Sequence, residues 1–218
     1  MMNYVFSKIR LFLNPDPIPL QYALKYISDS YSGKQMDEKI IEIAKTYIKP
    51  GKTKILDLGA GPGLYCKRFF ELGALVTWHD ISKSYKISAF TLMKNSNQNW
   101  DFKLDLIDNI DGKYDIIFNR VCWYYCLDDK RFLKSIVNHL NESGIFIGVL
   151  HNENRLGKSG GFKSLMIKLQ FALNNKFNIK IGHPPPSKNK IKKIFDNYNF
   201  SSLKIEDYGL DTLIVLKK

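Results

Sequence analysis

Lys54-Ile55-Leu56-Asp57-Leu58-Gly59-Ala60-Gly61-Pro62-Gly63 is the stretch that decides the fold of this chain. A β-type apolar run ends in an acidic residue and a Gly-x-Gly-x-Gly turn, and a helical pattern follows. Such a strand delivers the backbone to a turn so tight that a ligand can lie directly on it. A second strand, Leu75-Val76-Thr77-Trp78-His79, comes next and ends at Asp80. A doubly wound sheet places a carboxylate at the tip of the strand neighbouring its glycine turn, and there it meets a bound ligand.

Outward from this pair the same alternation continues. Strands are predicted at 53–58, 75–79, 99–104, 114–118 and 144–150, with helices over 62–72, 82–94 and 128–140 between them. Helices at 20–30 and 37–48 precede them. This order is that of a parallel sheet wrapped in helices. After His151 the alternation breaks. Gly157, Gly160 and Gly161 lead to a helical stretch at 162–173, and the whole of 151–190 is too long for an ordinary connection, so it reads as a functional cover. Pro184-Pro185-Pro186 then leads to Ser187, a helix cap, a helix at 191–198, and strands at 202–205 and 212–216 around Tyr208-Gly209. The expectation is one domain over 1–218, with a helical cap at 1–33 and the insertion at 151–190. Its fold would be α/β, a Rossmann-like three-layer α/β/α sandwich with a seven-stranded, mostly parallel sheet containing one antiparallel strand.

A dinucleotide site spaces its glycines Gly-x-Gly-x-x-Gly, but here the last of those positions is Leu64. Ile55 to Gly63 instead resembles the first motif of class I S-adenosylmethionine-dependent methyltransferases, and Val76 to Ser82 (VTWHDIS) resembles their second. The similarity runs coarsely from about Gln35 onward and is closest to generic small-molecule members. It implies S-adenosylmethionine as cofactor and S-adenosylhomocysteine as product. Gly59, Ala60, Gly61 and Gly63 would then bring backbone against the methionine and ribose parts. Asp57 would orient the ammonium end, its alternative role being to cap the following helix. Asp80, with Ile81 after it, would accept hydrogen bonds from both ribose hydroxyls, which suits an acceptor-only carboxylate. Asp105 and Leu106 occupy the place where the family holds adenine, although Asp101 or Asp108 remain alternatives. Asn119 occupies the place that meets the methionine part, and Tyr65 either covers the cofactor or packs.

For the reaction itself, His151 is the best general-base candidate. It ends the strand that flanks the methyl-transfer position, and a neutral imidazole can take a proton at cellular pH. His183 and Tyr124 are weaker candidates, whereas His79 and His139 suit a strand and a helix surface.

The composition narrows the partners. The chain carries 33 Lys and Arg against 21 Asp and Glu, but the cations are mostly lysine and spread along its length, and the run Lys188 to Lys193 reads as the solvated face of a helix. Nucleic acid is disfavoured as a partner. Asn119-Arg120-Val121-Cys122 lacks the Pro-Pro-aromatic sequence with which base-modifying DNA enzymes grip a flipped base, and no cysteine follows a proline. Cys66, Cys122 and Cys126 form neither a disulfide framework nor a metal-ligand set, so no metal is expected and the location is read as cytoplasmic. Met1 to Leu13 carries Lys8 and Arg10 and lacks a long apolar core, which fits an amphipathic cap better than a leader. No segment is apolar enough for stable membrane insertion. The function expected is O-methylation of a small molecule or sugar, as in cell-surface glycan or secondary-metabolite biosynthesis. The alternatives are an RNA methyltransferase and an inactive cofactor-binding scaffold. An acceptor pocket would draw on Tyr22, Tyr26 and Tyr31 and on Asn152, Asn154, Arg155 and Lys158.

Overall fold

The computed structural model describes residues 16, 18–31, 37–126, 128–152, 162–182 and 184–218. Asn154, Arg155, Lys158, His183 and the segment before Asp16, all named above, lie outside the described residues, as does the side chain of Tyr31. In chain order the elements are α1 (Leu20–Tyr31), α2 (Glu38–Lys45), β1 (Lys54–Leu58), α3 (Leu64–Glu71), β2 (Leu75–Asp80), α4 (Lys83–Asn95), β3 (Asp101–Leu104), β4 (Tyr114–Arg120), a 3-10 turn (Trp123–Tyr125), α5 (Asp129–His139), β5 (Leu140–His151), α6 (Phe162–Phe177), α7 (Lys188–Phe195), β6 (Ser202–Tyr208) and β7 (Asp211–Lys217).

The strands form one seven-stranded sheet in the order β3-β2-β1-β4-β5-β7-β6. β7 alone runs antiparallel, against both β5 and β6, while β1–β2, β2–β3 and β4–β5 pair in parallel. This is the seven-stranded, mostly parallel α/β sheet that the alternation of elements predicts. Compactness divides the chain into two units, Met1–Ile107 and Asp108–Lys218.

In the first unit, β1 is buried from Ile55 to Leu58, as a strand covered on both faces must be. The chain then passes through Gly59, Gly61 and Gly63, all at positive φ, where a residue with a Cβ would be strained. α3 packs on β1, β2 and α2, and α4 on β3, α3 and α1. Ser82 caps α4, its hydroxyl accepting the Tyr85 N–H at 3.0 Å. A second cap comes from far away in sequence. Asp16 accepts from the Ser82 hydroxyl at 2.8 Å, from the Ser84 N–H and from the Ile18 N–H. Burial pushes this carboxyl upward, but the donors outweigh it and hold its pKa below the ordinary value.

In the second unit, β5 lies between β4 and β7, and Ile145 to Leu150 are buried. β5 starts earlier than predicted because Leu140 already pairs with Tyr114, before an irregularity that resets the register at Ile116 and Ile145. Asp128 caps α5, accepting the Arg131 N–H at 2.8 Å. The next residue, Asp129, is completely buried and gathers five donors: Trp123 Nε1 (3.1 Å), Cys126 Sγ (3.4 Å), Asn174 Nδ2 (3.1 Å), Lys180 Nζ (2.8 Å) and Lys190 Nζ (2.7 Å). The run from Lys188 to Lys193 is therefore not a uniformly solvated face. Lys190 turns inward, because Asp129 and the carbonyl oxygens of Asn174 satisfy its ammonium. Among the described residues no helix is long and apolar enough to cross a membrane.

Candidate functional site

The glycine turn is organised by the strand beside it. The Gly59 and Ala60 N–H groups both donate to the His79 carbonyl, at 2.8 and 3.1 Å, and the Gly63 N–H donates back to Ala60. The Gly61 N–H donates to Asp80 Oδ2 at 2.9 Å, and the Gly61 carbonyl accepts from the Trp78 indole at 2.8 Å. Every N–H from residue 59 to 63 is thus used within the turn, Pro62 having none. A phosphate-binding loop needs those N–H groups aimed at the ligand, so the turn suits a ligand without a pyrophosphate. The glycines do different work. A Cβ on Gly61 would meet only the Tyr85 ring, at 3.9 Å, which leaves that side open to a ligand. A Cβ on Gly63 would lie 2.8 Å from Trp100 and 3.1 Å from Ala89. Packing by itself therefore requires a glycine at position 63.

Around this turn the first unit gathers carboxylates. Asp80 ends β2 almost buried, with Oδ1 accepting the Ser82 N–H at 2.9 Å and Oδ2 the Gly61 N–H. A carboxylate has about four acceptor positions, so these two bonds fix its orientation and leave capacity for a diol. Burial raises its pKa, against the pull of those N–H donors. Asp57 is wholly buried below the turn, and its Oδ2 accepts the Cys66 thiol at 3.2 Å. Burial, with the nearby Asp80 charge adding to it, raises Asp57 to about 7 despite the Cys66 donors. The edge is thus locally acidic in a basic chain and suits a cationic ligand.

Asp105 follows the last residue of β3 and stands exposed, accepting its own neighbour's Leu106 N–H at 2.7 Å. The His79 imidazole lies 3.2 and 3.1 Å from the Asp105 and Leu106 carbonyls. Burial lowers its pKa, so a neutral ring holds this loop in place. Asp101, the alternative to Asp105, begins β3 and so stands at the far end of that strand, while Asp108 belongs to the second unit. Tyr65 is buried, its hydroxyl accepting the Asp37 N–H at 3.2 Å ahead of α2, a packing position. Ile81 is exposed. Trp78, His79, Tyr85 and Asp16 shape the site without having been singled out in the sequence for that role. Tyr85 also takes the edge of Tyr26 from α1, centroid to centroid 6.4 Å.

In the second unit, Asn119 lies inside β4, which continues to Arg120, and is fully buried. His151 ends β5 directly opposite Asp211 at the start of β7. Its Nδ1 is 2.9 Å from Asp211 Oδ1, and Tyr124 stacks on the ring at 5.9 Å and 18°. Val121, the residue after β4, holds φ at +58°, a strained position for a β-branched residue and typical of functional edges. His139 bonds back to the Ser135 carbonyl within α5. Among the described residues no group of three His, Cys, Asp or Glu side chains is placed to hold a metal ion.

The family described as methyltransferase domain matches residues 28–205. A curated ubiquinone biosynthesis O-methyltransferase of Bartonella tribocorum is 30% identical over 113 residues, which are 50% of this chain and 44% of that protein. A second, from Bradyrhizobium diazoefficiens, is 28% identical over 106 residues, 48% of this chain and 42% of its own. The matched part thus spans less than half the length of these relatives. Among solved structures, an S-adenosylmethionine-dependent methyltransferase from Clostridium acetobutylicum has a TM-score of 0.64 at 15% identity, covering 88% of this chain and 96% of its own. The plantazolicin methyltransferase BpumL, solved in complex with SAH, also gives 0.64 at 16% identity, covering 96% and 92%.

Proposed function

We propose that this chain, which belongs to the methyltransferase-domain family, transfers a methyl group to an oxygen of a small molecule or sugar. Its cofactor is S-adenosylmethionine, which supplies a methyl group on a sulfonium, a good leaving group, for in-line displacement. The observation that carries the reading is the acidic edge of the first unit, where Asp80 is oriented by the Gly61 and Ser82 N–H groups. Gly61 presents an open side, Asp80 would take the ribose diol, and Asp57 would face the cationic end. Asp105 and Leu106 would hold the adenine. Positioning alone is worth roughly 7–11 kcal/mol when reacting groups are held in line. The similarity to proteins named ubiquinone biosynthesis O-methyltransferase supports an oxygen acceptor. Cys66, Cys122 and Cys126 are thiols and not half-cystines, which suits a reducing compartment such as the cytoplasm.

Calorimetry with S-adenosylmethionine and S-adenosylhomocysteine tests the cofactor site. Asp80→Ala removes two charge-assisted acceptors and should weaken binding by about 2–4 kcal/mol. Binding by the wild type should strengthen as pH rises through about 7, because Asp57 gains its charge there. The free protein should lose folding stability over the interval from the ordinary 3.8 to about 7, since the unfolded chain ionises Asp57 first. No heat with either ligand would end the reading.

The size of the acceptor is tested separately. α1 supplies a wall near the turn through Tyr22 and Tyr26, suited to a concave pocket. A small acceptor predicts weak RNA binding in gel-shift titrations. Tight binding that falls steeply with salt and depends on Lys192 and Lys193 would point to RNA instead.

A further inference from the structure

α6 carries its amphipathicity in reverse. Its most buried side chains are polar, Asn174 and Ser164, whereas Leu165, Met166, Leu169 and Phe177 are 63%, 39%, 49% and 66% exposed. At about 3.6 residues per turn these four and Leu173 fall on one stripe. A surface helix of a globular protein normally turns that stripe to the core. The inversion has a local cause. Asn174 is bound to Asp129, to Lys190 and to the Pro184 carbonyl, and Asn175 accepts the Ser187 N–H at 2.6 Å. The polar side is locked inward and the apolar side must face out. The stripe continues beyond the helix through Ile179 and Ile181, 49% and 52% exposed. Contiguous exposed apolar surface of this kind marks an interaction site.

The charge of the segment selects the partner. Residues 162–181 contain four Lys and no Asp or Glu, and one of the four, Lys180, is turned inward to Asp129. Of the lysines on α6, Lys168 and Lys176 are exposed beside or within the apolar stripe. We propose that α6 and the 178–181 stretch dock on an anionic lipid bilayer, with the leucines, Met166 and Phe177 at the headgroup–acyl boundary and Lys168 and Lys176 among the headgroups. A second copy of the chain fits poorly, because a two-fold contact sets the same patch against itself and would oppose Lys168 and Lys176 of the two helices, α6 itself carrying no acid. The contact is peripheral, in keeping with the lack of a spanning helix among the described residues, and it does not depend on the identity of the methyl acceptor.

Flotation of the full chain with vesicles tests this. Vesicles of phosphatidylcholine containing phosphatidylglycerol should carry the protein up the gradient, and pure phosphatidylcholine vesicles should not. Leu165→Gln with Leu169→Gln should weaken the association by roughly tenfold or more, as expected for removing two leucines from a buried apolar contact. Lys168→Ala should weaken it by about fivefold. All three positions are exposed, so melting curves of the variants should match the wild type. Failure to float with anionic vesicles, equal flotation with neutral ones, or variants that float like the wild type would overturn the proposal. So would a dimer in sedimentation that Leu165→Gln with Leu169→Gln dissociates while vesicles fail to bind, since the stripe would then be a self-association surface.

Discussion

His151→Ala is expected to slow methyl transfer by about 10²–10⁴-fold, the usual worth of a positioned general base, and to leave cofactor affinity largely intact. The reason lies in the strand register. His151 and Asp211 are direct cross-strand partners on β5 and β7, so their side chains leave the sheet on the same face. With the Nδ1 proton donated to Asp211 Oδ1 at 2.9 Å, the Nε2 lone pair is the one left to accept a proton. Tyr124, stacked at 5.9 Å, restrains the ring against rotation. A base acts on the acceptor and not on the sulfonium, so the loss should appear in the chemical step. Asp211→Asn should give a loss in the same range, because an amide can turn its NH₂ toward Nδ1 and favour the wrong tautomer, as in hydrolytic triads. Single-turnover methyl transfer across pH is the measurement. An unchanged rate and profile would make His151 a structural residue and leave catalysis to proximity.

Asp129→Ala is expected to destabilise the fold by about 3–5 kcal/mol, the cost of breaking a buried ion pair from one side. The cluster is unusual in its balance. Two ammonium groups, Lys180 and Lys190, with side chains only 6% and 8% exposed, close on one carboxylate that is not exposed at all. Removing that carboxylate leaves two buried cations close together and takes the acceptor from Trp123, Cys126 and Asn174 as well. Burial by itself would raise the Asp129 pKa, yet the two ammonium groups outweigh it and hold it below the ordinary 3.8. A carboxyl lowered in the folded state contributes stability above its unfolded pKa and loses it as pH falls through the folded value. The wild type should therefore lose this contribution below about pH 4, and Asp129→Ala should not. Denaturant midpoints at neutral and acid pH distinguish the two. A variant as stable as the wild type at neutral pH would mean that the lysines find water in place of the carboxylate. Because Asn174 joins the same cluster, Asp129→Ala should also loosen α6.

The elements of regular pattern were legible in the sequence and those that depend on partners were not. β1, the glycine turn and β2 stand out because apolar strands, glycines at positive φ and strand-end acids are local properties of the chain. The cap at Ser187 was legible for the same reason, since a cap acts within one helical turn. β3 was poorly bounded because its residues are half exposed and alternate only weakly. The packing demand on Gly63 was not legible because the ring that fills its missing side chain, Trp100, comes from beyond α4. Lys190 was misread because a lysine in a lysine-rich helix looks solvated until a buried acid is set against it.

By itself, then, the sequence determined the order of strands and helices along the chain, the turn on which a cofactor can lie, and the acids at or beside the ends of β1, β2 and β3. These rest on backbone preference and on the spacing of neighbours, which the chain carries wherever it goes. Only the tertiary structure decided that the Gly59, Ala60 and Gly61 N–H groups are taken up by β2 and so are not turned to a phosphate. The same holds for Asp16, which reaches the start of α4 across 66 residues, and for Asp211, the partner of His151 across 60. It holds as well for α6, whose apolar face is turned outward. Each of these is a pairing between distant residues, fixed by strand register and by the need to satisfy every buried charge and hydrogen-bonding group, and no local pattern can report it.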